Sequence, residues 1–355
     1  MVLKDKNLYY VGGVVRDEVL GAASFDTDFC YEGNAIEFAK NLNIIKENPD
    51  FGTVRVLYDG KEIDIASTRE ETYPRAGHLP VVKNIGCALK DDLKRRDFTI
   101  NAMAKNTVTG EIVDYFGGMD DIKAKKIRVL HKNSFIDDPT RILRALKFAV
   151  RFGFELEDET KQLQDKYLEH INYDMSYHRL KKELKETFNL NKEEAYKRFV
   201  EQGIYKLLDK NVPAITVSIE ELTSKYNPIY PWIVYMGLFD LSKLELTADE
   251  KKILESVPDK KPDTDFEIYK MFNDLPLESV LLYALKIDCK TAAHYLDNLR
   301  NIKIETCGND LKKLQIPNGK VYKEIFDYLL TEKIKNPMLS KSEELELVKE
   351  KYGTH

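Results

Sequence analysis

Short apolar runs broken by glycine-bearing turns occupy the first third of the chain, and helical spacing replaces them after about residue 135. Leu8–Val11, Asp26–Tyr31, Thr53–Tyr58 and Glu62–Ser67 read as strands, and Asn101–Lys105 pairs with Glu111–Tyr115 across Thr109-Gly110. Asp59-Gly60 joins two of these runs, and Asp-Gly in that position is a strong two-residue hairpin signal. Val14 to Leu20 predicts a helix that stops at Gly21. Further on, Ile142, Leu146, Ala149 and Val150 form one apolar stripe at helical spacing, and Leu163, Tyr167 and Ile171 form another. The stretch 211–261 holds several prolines and reads as a soft boundary, with Pro258-Asp259-Lys260-Lys261-Pro262 as a turn or linker. The pattern predicts an α+β fold: a small mixed or antiparallel sheet flanked by helices, then an all-α remainder.

Composition narrows the class without identifying it. The 355 residues allow two or three compact units, with 43% hydrophobic residues to build cores and 32% charged residues on their surfaces. No apolar run approaches the ~18 residues of a membrane span, and Met1 to Lys6 leads directly into the first strand. Cys30, Cys87, Cys289 and Cys307 have no metal-type spacing, so reduced thiols in a cytoplasmic protein are the expectation. A net charge of −5 argues against an all-over basic nucleic-acid binder but permits a local footprint.

The chemistry begins at Gly12-Gly13. A strand, a double-glycine turn and a helix start expose backbone N–H groups and the positive end of a helix dipole, which suits an anion. Asp26 and Asp28 of the next strand project from one face, since side chains alternate with period two. Two adjacent carboxylates repel unless they share a cation. Asp64, between Ile63 and Ile65 on the opposite face from both, is a third acid that faces either solvent or metal. Asp26, Asp28 and Asp64 would suit a two-metal magnesium site, with Asp26 and Asp28 as its first ligands. A phosphate cradle beside such a pair is minimal equipment for nucleotide transfer.

Four segments occur in a fixed order: Leu8–Asp28; Arg95-Arg96-Asp97-Phe98-Thr99-Ile100-Asn101-Ala102-Met103; Asp114-Tyr115-Phe116-Gly117-Gly118; and Asp137-Asp138-Pro139-Thr140-Arg141-Ile142-Leu143-Arg144. Together they resemble the class II tRNA nucleotidyltransferase and bacterial poly(A) polymerase family, densely over roughly the first 210 residues and loosely beyond. The resemblance implies a nucleotidyltransferase head at 1–135, a helical neck that reads the base at 136–210, a helical body at 211–262, and a helical tRNA-binding tail at 263–355. It implies CTP and ATP as substrates, the tRNA 3′ end as acceptor and Mg2+ as cofactor. No protein partner is inferable.

Residue by residue, the resemblance carries nucleotide contact to Gly12, Gly13, Arg16, Arg96 and Arg144, and ribose or backbone-ordering roles to Asp97 and Asn101. Lys147 falls where the family often has arginine, which keeps the charge but loses the bidentate fork. Asp138 caps a helix with Pro139 in its first turn, and Arg141 lies three residues on. An ionised Asp only accepts and an Arg only donates. The pair therefore complements the amino donor and ring-nitrogen acceptor of cytosine and adenine and mismatches uracil and guanine. Asp137 replaces the family's usual Glu, and His178 stands where an acid is more usual on the neck helix. Lys123–Arg128 and Lys181-Lys182 read as solvated faces, with RNA phosphate as the alternative, and Cys307–Leu311 with Ile316–Lys320 resembles the family's elbow-gripping tail.

The leading function is template-independent CCA addition to tRNA. The alternatives are A-only addition, poly(A) synthesis and, remotely, a non-catalytic RNA-binding protein. Between Arg69 and Arg95 there is room for a loop that CC-only members of the family typically lack, which disfavours CC-only addition.

Overall fold

The computed structural model describes residues 3–23 and 27–353. Asp26, the first of the predicted metal ligands, lies outside the described residues. The chain divides into two compact units, one running up to Val212 and including Phe239–Glu245, the other comprising Pro213–Leu238 and the residues from Leu246 on.

The first unit opens with β1 (Leu8–Val11), α1 (Gly13–Val19), β2 (Asp28–Tyr31), α2 (Ala35–Phe38), β3 (Asn43–Asn48), β4 (Thr53–Tyr58) and β5 (Lys61–Ser67). A hairpin of β6 (Arg69–Thr72) and β7 (Val81–Ile85) follows, then α3 (Leu89–Lys94), β8 (Met103–Asn106) and β9 (Ile112–Asp114). Among the described residues, seven strands form one sheet in the order β3-β4-β5-β2-β1-β8-β9. Only β2 and β5 run parallel, so the sheet is mixed as the sequence predicts. The β4–β5 turn follows its signal: Asp59 and Gly60 both take positive φ, 51° and 75°, as a type I′ hairpin requires.

Alternation along the strands builds two cores. Phe29, Val54, Val56 and Ile65 pack with Leu8, Ala35 and Ala39 on the α2 face. Val11, Cys30, Ala102 and Ala104 pack with Leu89 and Leu93 on the α3 face. Each large aliphatic or aromatic side chain so buried contributes roughly 1.5–3 kcal/mol.

Three local departures have physical reasons. Strand β3 has all six residues exposed, so no period-two pattern announces it; it exists because the edge of β4 offers an unpaired ladder. Arg69–Thr72 is polar throughout and likewise carries no strand signal. Asn101, expected to begin a strand, closes a single 3-10 turn (Thr99–Asn101) because its amide is held by Asp97 and Arg16.

After β9 come α4 (Gly118–Lys123), α5 (Ser134–Asp137), α6 (Thr140–Phe152), α7 (Asp158–Glu169) and α8 (Tyr177–Phe188). Helix α6 buries far more than its predicted stripe: Leu143, Ala145, Lys147 and Phe148 join Ile142, Leu146 and Ala149, while Val150 is half-buried. Helix α7 buries Thr160, Gln164, Tyr167 and Leu168 in place of Leu163, and Ile171 lies beyond its end.

The second unit is helical throughout its described elements. Its helix Pro231–Met236 buries Trp232, Ile233, Val234, Tyr235 and Met236, and a helix apolar on every side is a core helix. Farther on, Leu311, Ile325, Leu329 and Val348 form a separate apolar cluster. No described helix is long and apolar enough to cross a membrane.

Candidate nucleotide cleft

A cleft of about 540 Å³ in the first unit gathers Gly12, Gly13, Asp28, Asp138 and Phe148 with residues from β6 and α8 and the segment that follows α3. Its floor is the double-glycine turn. Gly12 has φ +70°, so the backbone conformation demands glycine, and a Cβ there would stand 3.1 Å from the Arg96 guanidinium. The first N–H groups of α1 have no partner within the helix, as at any helix start.

Seven arginines line the cleft among the described residues: Arg16, Arg69, Arg95, Arg96, Arg141, Arg144 and Arg179. Five carboxylates stand against them: Asp28, Glu71, Asp97, Asp138 and Glu183. Forked donors that stay charged at any physiological pH suit a polyphosphate.

The arginines are held by a continuous network. Arg16 donates through Nη1 to the Asn101 Oδ1 (2.7 Å) and through Nε and Nη2 to Asp17 (2.9 and 2.7 Å), and it packs over the rings of Phe148 and Phe152. Asn101 Nδ2 donates to Asp97 Oδ1 at 3.0 Å. Asp97 Oδ2 accepts from Arg144 Nη2 (2.6 Å) and Nε (2.8 Å), and Arg144 Nη1 reaches Glu183 at 3.1 Å. Burial pushes the Asp97 carboxyl up, but Arg144, the Asn101 hydrogen bond and Arg141 outweigh it and bring the pKa down to about 2. The same carboxylate raises the Arg144 guanidinium above its usual value despite burial. Asp97 and Asn101 thus act on Arg16 and Arg144.

A second network fixes the opposite wall. Asp92, fully buried on α3, accepts from Arg95 (Nη2, 2.8 Å), Arg96 (Nη2, 3.2 Å) and the Arg69 backbone N–H (3.2 Å). Glu71 takes Arg69 Nε at 2.7 Å and Arg95 Nη1 at 3.1 Å. Sequence reasoning passed over Asp92, although its spacing of three and four from Arg95-Arg96 on a helix was a readable signal. Glu71, Tyr73 and Arg69 gave no such signal, because β6 itself was invisible.

The predicted base-reading pair lines the same cleft, both members almost wholly buried. Asp138 is extended, between the end of α5 and Pro139 at the start of α6, and its Oδ1 accepts from the Thr140 N–H (3.1 Å) and hydroxyl (2.6 Å) in the first turn. Its Oδ2 takes Arg179 of α8 and lies 3.9 Å from Arg141 Nε. Arg141 donates to Ser134 Oγ (2.6 Å), the Arg95 carbonyl (3.1 Å) and the Tyr73 hydroxyl (3.3 Å). Arg179 and Glu183 lie on the neck helix that resemblance singled out only for His178, and their spacing of four was the available sign. His178 itself is exposed.

Two predicted residues are placed away from the cleft lining. Lys147, for which the family resemblance implies nucleotide contact, is buried and bonded to Glu183 (2.8 Å) and Glu186 (2.5 Å) of α8. Asp64 lies outside the cleft lining but directly across from Asp28 in the parallel β2–β5 register, and Arg55 holds it through two 2.7 Å contacts. Asp28 and Asp64 are exposed carboxylates on one strand face, the hard oxygen type that magnesium takes, and among the described residues no group of three ligating side chains is gathered there.

Similarity to known proteins agrees with this geometry. A family model described as the poly A polymerase head domain matches residues 8–128. An A-adding tRNA nucleotidyltransferase of Aquifex aeolicus is 35% identical over 83% of the chain, which spans only 41% of that protein. One of Halalkalibacterium halodurans is 29% identical over 97% of the chain and 88% of its own length. A solved CCA-adding enzyme in an apo form matches with a TM-score of 0.80 and 28% identity, over 96% of this chain and 91% of that one.

Proposed function

The chain belongs to the class II tRNA nucleotidyltransferase and bacterial poly(A) polymerase family, and from that premise we propose that it transfers AMP from ATP to the 3′ end of a tRNA without a nucleic-acid template. The observation that carries the reading is that one cleft is lined by the Gly12-Gly13 turn, seven arginines, Asp28 and the Asp138–Arg141 pair. A triphosphate laid along it meets rigid guanidinium forks, which orient the phosphates without reorganising. Its base meets a carboxylate acceptor and a guanidinium donor already fixed by Thr140, Arg179 and Ser134. Adenine and cytosine complement that pair and guanine and uracil do not, a difference of about 1–3 kcal/mol per good bidentate contact.

Asp26, Asp28 and Asp64 are the residues that would hold magnesium, which when bound supplies Lewis-acid activation of the attacking hydroxyl and stabilises the leaving pyrophosphate. Asp28 and Asp64 bring its oxygen ligands to one strand face, and Asp28 lines the cleft.

The A-adding reading is preferred because the relatives aligned over 83% and 97% of the chain carry that name. Complete CCA addition is the second reading, favoured by the solved CCA-adding enzyme whose fold covers 96% of the chain. The test uses tRNA transcripts ending before CCA, after C and after CC, with CTP, ATP or both in magnesium. A-only addition extends the CC-ending transcript with ATP and leaves the others; CCA addition completes all three when both triphosphates are present. Failure to extend any transcript would overturn both readings.

A further inference from the structure

Outside the nucleotide cleft, a row of charged residues crosses the sheet. The register pairs Lys46 of β3 with Arg55 of β4, Arg55 with Asp64 of β5, and Asp64 with Asp28 of β2. Residues directly opposite on neighbouring strands point to the same face, and every member of this row is exposed. The row therefore runs from two cations at the sheet edge to two acids, of which Asp28 lines the cleft.

The face that carries it is covered in one half and open in the other. Over β2, β1 and β8 it is packed under α3 through Cys30, Val11, Leu89 and Leu93. Over β4 and β5 it presents Leu57 at 40% exposure and an exposed Glu62, while the reverse face of the same strands is buried against α2. Lys46, Thr53, Arg55 and Asp64 line a depression of about 230 Å³ there. Asp28 lines the nucleotide cleft and Asp64 the depression, so the acid pair separates two concavities.

The cations in the depression keep capacity for a ligand. Arg55 binds Asp64 through Nε and Nη2, while its Nη1 makes a long ion pair with the exposed Glu62 at 3.6 Å, beyond hydrogen-bond range, and so keeps its N–H donors. Lys46 has no ion pair among the described residues. A transfer reaction needs a second substrate whose hydroxyl approaches the reacting phosphorus from the side opposite the leaving pyrophosphate. With the triphosphate in the arginine cleft on one side of the acids, the acceptor must come from the other, where the row continues.

We propose that the Lys46–Arg55 end of this row is a phosphate subsite for the acceptor RNA, holding the internucleotide phosphates next to its 3′-terminal hydroxyl. The assignment rests on the transfer reaction proposed above. Arg55 acts here in two directions: its fork orients Asp64 and its remaining N–H donors meet the RNA phosphate, with the Lys46 ammonium as a second charge. Leu57 offers an apolar surface for the terminal ribose.

The experiment compares wild type with Lys46→Gln, Arg55→Gln, the double variant and Arg55→Lys. It measures tRNA binding against salt and KM for tRNA and for ATP, with thermal unfolding as the check on folding. In the double variant the KM for tRNA rises about tenfold, the KM for ATP stays within about twofold, and the slope of log K against log salt flattens by about 1.4, or about 0.7 per phosphate contact. Arg55→Lys, which keeps the charge, recovers most of the tRNA affinity. An unchanged tRNA KM and salt slope in a folded double variant would overturn the subsite. So would a silent Lys46→Gln beside an Arg55→Gln that loses kcat alone, since Arg55 would then serve only to hold Asp64. A rise in the ATP KM equal to that for tRNA would place triphosphate in the depression and also overturn it. Wild-type protein that extends no RNA would instead refute the transfer reaction itself.

Discussion

In the cleft of the first unit, Asp97 and Asp138 are buried beneath arginines drawn from distant parts of the chain; in the second unit, Glu267 and Glu343 reach back to their own helix starts. Arg144 and Asp97 are 47 residues apart, and Arg179 and Asp138 are 41 apart. By contrast, Thr264 and Glu267 close a capping box within three residues, as do Ser340 and Glu343. The second unit buries charges too, but backbone N–H groups satisfy the acids: Glu344 takes those of Glu305 and Thr306 together with Lys333, and Glu278 takes that of Tyr230. The difference teaches where each unit is vulnerable. Local caps contribute small, separable increments, whereas a buried charge network fails as a unit when one partner is removed.

The largest way to sharpen that contrast is Asp28→Ala. Incorporation falls ~10⁴-fold, which corresponds to about 5 kcal/mol of transition-state stabilisation, while the thermal midpoint does not fall. Asp26→Ala behaves alike. Near-wild-type incorporation in magnesium by either variant would remove the pair from the reaction.

Next is Asp97→Ala, which leaves Arg144 facing the buried Glu183 alone and Asn101 without its acceptor. Urea unfolding at neutral pH shows a loss of about 3–5 kcal/mol, as when one partner of a buried pair is deleted. The pH dependence gives an independent reading. The folded Asp97 carboxyl titrates at about 2, below its unfolded value, so its stabilisation is complete above the unfolded pKa of ~3.9 and is lost as pH falls through about 2. A gap of that size corresponds to about 3 kcal/mol, and Asp97→Asn makes the stability slope between pH 4 and 2 shallower than in the parent. Identical acid limbs in parent and variant would show that Asp97 does not anchor the network.

A smaller effect separates reading from holding. Asp138→Ala removes the acceptor for the amino group of the base, so preference for ATP over GTP drops by about 10–100-fold, more than triphosphate affinity does. If selectivity survives, Asp138 serves only to hold the first turn of α6. The smallest effect belongs to the second unit: Thr264→Ala costs about 1 kcal/mol and leaves ATP affinity untouched. A comparable loss of ATP binding would break the division between the two regions.

Much of the strand framework was legible because its signals are local. Thr53–Tyr58, Asp59-Gly60 and the following run announce a hairpin through composition and turn chemistry alone, and the structure places it within a residue of the expectation. Strand β3 was illegible because an all-exposed edge strand has no apolar side to reveal. For the site, Gly12, Arg16, Arg96, Asp138, Arg141 and Arg144 could be named from motif order, and they line one cleft. Their partners could not. Nothing in the motif around Lys147 shows that α8 brings Glu183 and Glu186 against it.

By itself the sequence determined the elements with a period or a turn code: a strand-rich head, a helical remainder, a glycine turn that only glycine fits, and the donor and acceptor types offered to a base. Only the tertiary structure decided that Arg144 holds Asp97 and Arg179 holds Asp138, and that Lys46, Arg55, Asp64 and Asp28 fall in a single row. The reason is that helix caps and turns depend on residues a few positions apart, whereas ion-pair choice and cross-strand alignment depend on register. Register is fixed by the burial of whole sheet faces, and a slip of one residue would turn every side chain of a strand to the opposite face.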